Sequence, residues 1–80
     1  METFEDFKAK YYRETIPNKH PDIRNGQALM TLLCNFWYEE YGRLSSLNYY
    51  SKTDIDCFYN DKLIGNTLNH LEKNWHKYPK

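Results

Sequence analysis

Eighty residues with 11 basic and 11 acidic side chains carry no formal net charge; a chain this short makes one domain, buries only about 60–65% of its surface and has thin stability. The even balance argues against a nucleic-acid partner, which calls for a basic excess to neutralise phosphates. Eight Tyr, four Phe and two Trp bring the aromatic share to 18%, more Tyr than a small core takes up, and surplus Tyr is the residue type that concentrates binding energy at interfaces.

In chain order, "TFEDFKAKYYRETIP" predicts a first helix. Thr3 is its cap, Asp6 stands at the third helical position, and Phe4, Phe7, Tyr11 and Ile16 recur at helical spacing until Pro17 ends it. A second helix is expected to start near Pro21 and run to about Tyr41, with Ile23, Leu29, Met30, Leu33, Phe36, Trp37 and Tyr41 as a broad apolar stripe. Gly26 inside it costs about 1 kcal/mol relative to Ala, which points to close approach of another backbone or a partner group, and Gly42 reads as a stop signal. "RLSSLNYYSKTDIDCFYND" lacks a sustained period and reads as a structured loop with a short helical turn through Leu44, Leu47 and Tyr50. Asn60 or Asp61 then caps a last helix, in which Ile64, Leu68, Leu71 and Trp75 form an amphipathic stripe. Its basic end, Lys73, His76, Lys77 and Lys80, offsets the helix dipole. No segment alternates over enough residues to be a strand. The expected fold is all-α: a single helical domain over residues 1–80, a three-helix assembly with a structured loop or short helical turn before the last helix.

Chemistry-bearing groups are sparse. Asp54, Asp56 and Asp61 fall close together, but they lack the glycine and terminal Glu of a calcium loop, and turns and caps favour Asp and Asn anyway. His20, His70 and His76 share no ligand spacing. Cys34 and Cys57 match no CxxC pattern, and neither has a base at a telling distance. No catalytic residue, metal or cofactor is therefore expected, nor an enzyme. "METFEDF" is acidic and lacks the apolar segment of a secretory signal, and the longest apolar run, "ALMTLLCNFWY", is too short to span a bilayer. The chain reads as soluble and cytoplasmic, with reduced thiols and no membrane partner.

Two segments, "RNGQALM" (Arg24 to Met30) and "DCFYND" (Asp56 to Asp61) with Ile64 and Trp75 beyond it, resemble a group of small bacteriophage and prophage proteins. In that group an R-x-G-Q-A-L helix is followed by a D-x-F-Y-x-D turn, an amphipathic helix and a late Trp. The resemblance spans residues 23–75 and implies a phage source more than a mechanism. It also implies that the Phe58–Tyr59 turn lies against Gly26, with Gln27 bonding to the loop backbone. "NFWYEEYGRLSSLNYYSKT", between the two motifs, is longer and more aromatic here than in the group.

The expectation that follows is a non-enzymatic interaction protein of phage type. It would bind and inhibit a host protein or protein complex in the host cytoplasm, as a counter-defence or host-takeover factor does. Its contact residues would be Tyr38, Tyr41, Tyr49, Tyr50 and Tyr59, with Arg43 and Lys52. The alternative is a homo-oligomer that sequesters a small molecule or signalling nucleotide, by tyrosine stacking on the base and Arg or Lys on phosphate. A self-associating virion component is a third class.

Overall fold

Thr3 opens the first helix in a reciprocal capping box. Its hydroxyl accepts the Asp6 N–H at 3.1 Å, while the Asp6 carboxylate accepts the Thr3 N–H at 3.2 Å. The computed structural model describes residues 3–79. Helix α1 (Phe4–Lys10) runs on without a break into a π-helical stretch, Tyr11–Thr15, and a last turn, α2 (Ile16–Asn18). Pro17 therefore does not end the helix where the sequence suggests. Proline has no N–H to give and its ring crowds the carbonyl four residues back. The wider π turn takes up that defect, with the Ile16 N–H reaching back to the Tyr11 carbonyl. Phe4, Phe7 and Tyr11 are buried, as their spacing requires.

Helix α3 (Asn25–Phe36) starts later than Pro21, because residues before it form a turn closed by Ile23 N–H to His20 O at 3.0 Å. It carries most of the aliphatic core: Leu29, Met30, Leu32 and Leu33 are buried. It does not continue to Tyr41. Trp37 breaks it at φ −148°, ψ 73°, acting as the C-cap of α3 and the N-cap of α4 (Tyr38–Ser51). A straight helix from Asn25 to Ser51 would be about 40 Å long at 1.5 Å per residue, beyond the molecule's longest extent of 31 Å. Bending at Trp37 brings Leu44 back into the core and buries the Trp37 ring between Trp75 and Tyr78, at 5.4 and 5.2 Å between ring centroids.

The first half of the segment expected as a loop with a short helical turn is helix α4, and Gly42 lies inside it rather than stopping it. The stop comes at Lys52, in the left-handed region with φ 52°, its N–H bonded to Asn48 O at 2.9 Å. A Cβ on Gly42 would meet nothing within 4 Å. Gly42→Ala is therefore expected to stabilise the fold by about 0.5–1 kcal/mol through helix propensity alone, read as a raised urea midpoint at unchanged slope.

Asn60 caps the next turn as anticipated, its side chain accepting the Lys62 N–H at 3.0 Å. A 3₁₀ turn, Asp61–Leu63, leads into α5 (Ile64–Asn74), followed by a second one, Trp75–Lys77. Leu68, Leu71 and Trp75 face inward. Trp75 is the hub of the aromatic half of the core: it lies 5.8 Å from Phe4, 5.1 Å from Phe7 and 4.9 Å from Tyr78, the last pair stacked. These contacts join α1 to α5. The protein is all-α, with no strand among the described residues. Lys80 of the expected basic end lies outside them.

Candidate functional site

The connection from Lys52 to Asn60 has no regular structure, so its backbone polar groups need partners from elsewhere. Three helices supply them. Asn48 of α4 accepts the N–H groups of Ile55 and Asp56 on its side-chain oxygen, at 2.8 and 3.1 Å. From α5, the Thr67 hydroxyl donates to Ile55 O at 2.6 Å, and the Asn66 amide donates to Asp54 O at 3.1 Å.

The third anchor is the start of α3. The Gly26 N–H donates to the Asp61 carboxylate at 2.9 Å, and the buried Cys57 thiol donates to Gly26 O at 3.4 Å. Gly26 is needed because a Cβ there would fall on the Cys57 carbonyl oxygen. The close approach expected at Gly26 is present, but its partner differs from the expectation. The Cys57 backbone lies there rather than the Phe58 or Tyr59 ring, and Arg24 rather than Gln27 bonds the loop, donating from Nη2 to Phe58 O at 2.8 Å. Burial pushes the Cys57 thiol above its ordinary pKa, which keeps it protonated and suits a structural role.

This pinning disperses the three Asp residues. Asp61 is spent on Gly26, Asp56 accepts the Phe58 N–H at 2.9 Å through Oδ1, and Asp54 sits at φ 56° in the turn. Among the described residues no group of three His, Cys, Asp or Glu comes together that could hold a metal ion. No described helix is long and apolar enough to cross a membrane.

The expected contact residues divide. Tyr38, Tyr41 and Tyr49 fall on one face of α4 by helical spacing, with Tyr38 and Tyr41 stacked at 6.4 Å. Tyr49 meets Tyr50 edge-on at 5.0 Å. Tyr38, Tyr49, Tyr50 and Tyr59 are 72, 76, 81 and 84% exposed. Tyr59 comes from the pinned loop and joins the α4 face at one end. There Tyr41, Asp56, Phe58 and Tyr59 line a cleft of about 120 Å³. Lys52 is exposed at the helix end.

Arg43 belongs elsewhere. It turns back on Glu40, donating from Nε at 2.8 Å and Nη2 at 2.6 Å to the same carboxylate oxygen. Glu40 is almost wholly buried, and its other oxygen lies 3.5 Å from His70 Nε2 on α5. Glu40 engages Arg43 through one oxygen, while the other is buried without a hydrogen-bond partner among the described residues, and the pair takes the Arg43 charge away from the tyrosines.

Sequence reasoning missed Asp56 and Phe58 as neighbours of the tyrosine face, and reached Arg24 only as one of several cations interleaved with the tyrosines. The Arg24 guanidinium lies 6.0 Å from the Tyr59 ring, across a gap in the chain that only the fold closes. It also missed a larger groove, about 380 Å³, lined by Thr15 at the end of the π-helical stretch and by Ile23, Ala28 and Leu32. The Lys19 ammonium at its edge is already donating to Ile23 O at 2.6 Å. In comparisons with protein families, curated proteins and solved structures, none matches this chain.

Proposed function

We propose that this chain is a non-enzymatic interaction protein that docks a partner protein on the tyrosine face of α4 and the adjoining loop. The observation that carries the reading is the exposure of Tyr38, Tyr49, Tyr50 and Tyr59, each more than 70% open to solvent. A tyrosine ring buries 150–250 Å² when covered, holds only two side-chain torsions and offers a hydroxyl at its edge, which makes it an efficient contact residue. Here the rings are presented by a helix and by a loop pinned at both sides, so little ordering is needed on binding. The resemblance to phage proteins supports a host protein in the cytoplasm as the partner, with inhibition as the outcome. Arg43 leaves the proposed contact set because Glu40 holds it.

The test is capture from host lysate with the intact chain as bait, followed by binding measurements on the partner so identified. Tyr38→Ala and Tyr49→Ala/Tyr50→Ala are each expected to weaken that partner by roughly tenfold or more, with melting temperatures unchanged because these rings are exposed. Full retention of binding by both variants would remove the tyrosine face as the docking site. The nucleotide-sequestering alternative has weaker support: of the cations it would use, Arg43 is engaged with Glu40 and Arg24 with the Phe58 carbonyl.

A further inference from the structure

We infer that the cleft between α4 and the pinned loop, lined by Tyr41, Asp56, Phe58 and Tyr59, is a receptor for a lysine side chain presented by the protein partner. The inference rests on the docking reading above and names the chemistry that reading would recognise. Three rings and one carboxylate make the lining. Ring faces are negative and attract cations, and a carboxylate at the same point adds a full charge. Burial pushes the Tyr41 phenol above its usual pKa, and Cys34, Asp56, Tyr38 and Tyr59 around it all push the same way. Among these neighbours the Asp56 carboxylate is the group that supplies negative charge for a cation in the cleft.

The size and the hydrogen-bonding state of Asp56 select among cations. At roughly 30 Å³ for a water-sized group, a cleft of about 120 Å³ takes an ammonium with the last methylenes of its stem. Oδ1 of Asp56 is already engaged by the Phe58 N–H, and Oδ2 has no partner among the described residues. An ammonium is a point charge that Oδ2 alone satisfies, whereas a guanidinium fork would have to share Oδ1 with the Phe58 N–H. Arg24 does not fill this role itself, because its Nη2 is donating to Phe58 O and its guanidinium stands 6.0 Å from the Tyr59 ring.

The probe is Nα-acetyl-lysine amide, titrated into the ¹⁵N-labelled intact chain, with the norleucine analogue as the uncharged control. Shifts that saturate at the Asp56, Phe58 and Tyr59 amides with the lysine compound alone are expected; equal shifts with norleucine, or none with either, overturn the inference. Asp56→Asn keeps an acceptor for the Phe58 N–H and so keeps the turn. It is expected to weaken lysine binding by about tenfold, the scale of one charge-assisted contact, at an unchanged melting temperature. Against the captured partner the two readings separate. Loss of binding in both Tyr38→Ala and Asp56→Asn supports both. Loss in Tyr38→Ala with full binding in Asp56→Asn keeps the tyrosine face and overturns the lysine receptor. Full binding in Asp56→Asn, in Tyr38→Ala and in Tyr49→Ala/Tyr50→Ala overturns both.

Discussion

Trp75→Ala is expected to lower the melting temperature by roughly 15–30 °C, at 4–8 °C per kcal/mol for a domain of this size, in a thermal melt followed by circular dichroism. Trp75 is buried and touches the rings of Phe4, Phe7, Trp37 and Tyr78, which belong to the first helix, the bend and the C-terminal turn. Truncating a buried Trp costs about 3–5 kcal/mol, from lost transfer energy and from the cavity left behind. A chain of this length has only about 4–12 kcal/mol in total at typical per-residue values. Trp75→Phe keeps an aromatic ring at the site and should lose much less. A shift under about 5 °C for the Ala variant would mean that the aromatic half of the core is not what holds α1 to α5.

Gly26→Ala should destabilise by roughly 2–3 kcal/mol, although the same substitution at Gly42 stabilises. At Gly26 the new methyl group falls on the Cys57 carbonyl oxygen and stands 3.0 Å from the Asp61 carboxylate. Neither neighbour is free to move: Cys57 donates its thiol to Gly26 O, and Asp61 accepts the Gly26 N–H. Relieving the clash means pushing the loop off α3, with overpacking worth 1–3 kcal/mol and hydrogen bonds worth about 0.5–1.5 kcal/mol each. The helix-propensity gain of about 1 kcal/mol offsets part of this. Urea unfolding of the two variants side by side gives opposite midpoint shifts if the close approach is as described; a shift of the same sign in both would contradict it.

Much of the fold was legible from the residues because local signals and burial agree there. The capping box at Thr3, the Phe4–Phe7–Tyr11 stripe and the Leu68–Leu71–Trp75 stripe are each written in a few neighbouring positions. Helix α4 was legible only in pieces, as the end of the second helix to Tyr41 and a short turn through Leu44, Leu47 and Tyr50. Its only buried residues are Glu40 and Leu44, so its apolar period is nearly silent, and Gly42 imitates a stop signal. Tertiary contacts from Leu44 and Asn48 hold it as a helix where propensity is indifferent. The bend at Trp37 carries no Pro or Gly to announce it, and follows from the limited span of the molecule.

The site shows the same division. A tyrosine surplus can be counted, and Gly26 can be read as a close approach. That Asp56 and Phe58 meet Tyr41, or that Cys57 rather than an aromatic ring meets Gly26, depends on a loop whose anchors lie on three helices. Arg43 was assigned to the contact set because it stands among the surplus tyrosines in the chain; the buried Glu40 carboxylate beside it holds it instead.

Trp37 and Tyr38 are adjacent in the chain, yet one is buried and the other is 72% exposed. The bend that seats the Trp37 ring in the core is the same bend that aims the Tyr38 face outward, so the proposed docking face exists only while the core is assembled. A partner that binds this face adds its own free energy to folding, about 2.7 kcal/mol when present at a hundred times its dissociation constant. For so small a domain that is a large share of the whole. On the proposed reading, copies without a partner open more often and meet cellular proteases sooner. The amount of this protein in a cell would then follow the amount of its target, with excess chains cleared by turnover and no separate regulator required.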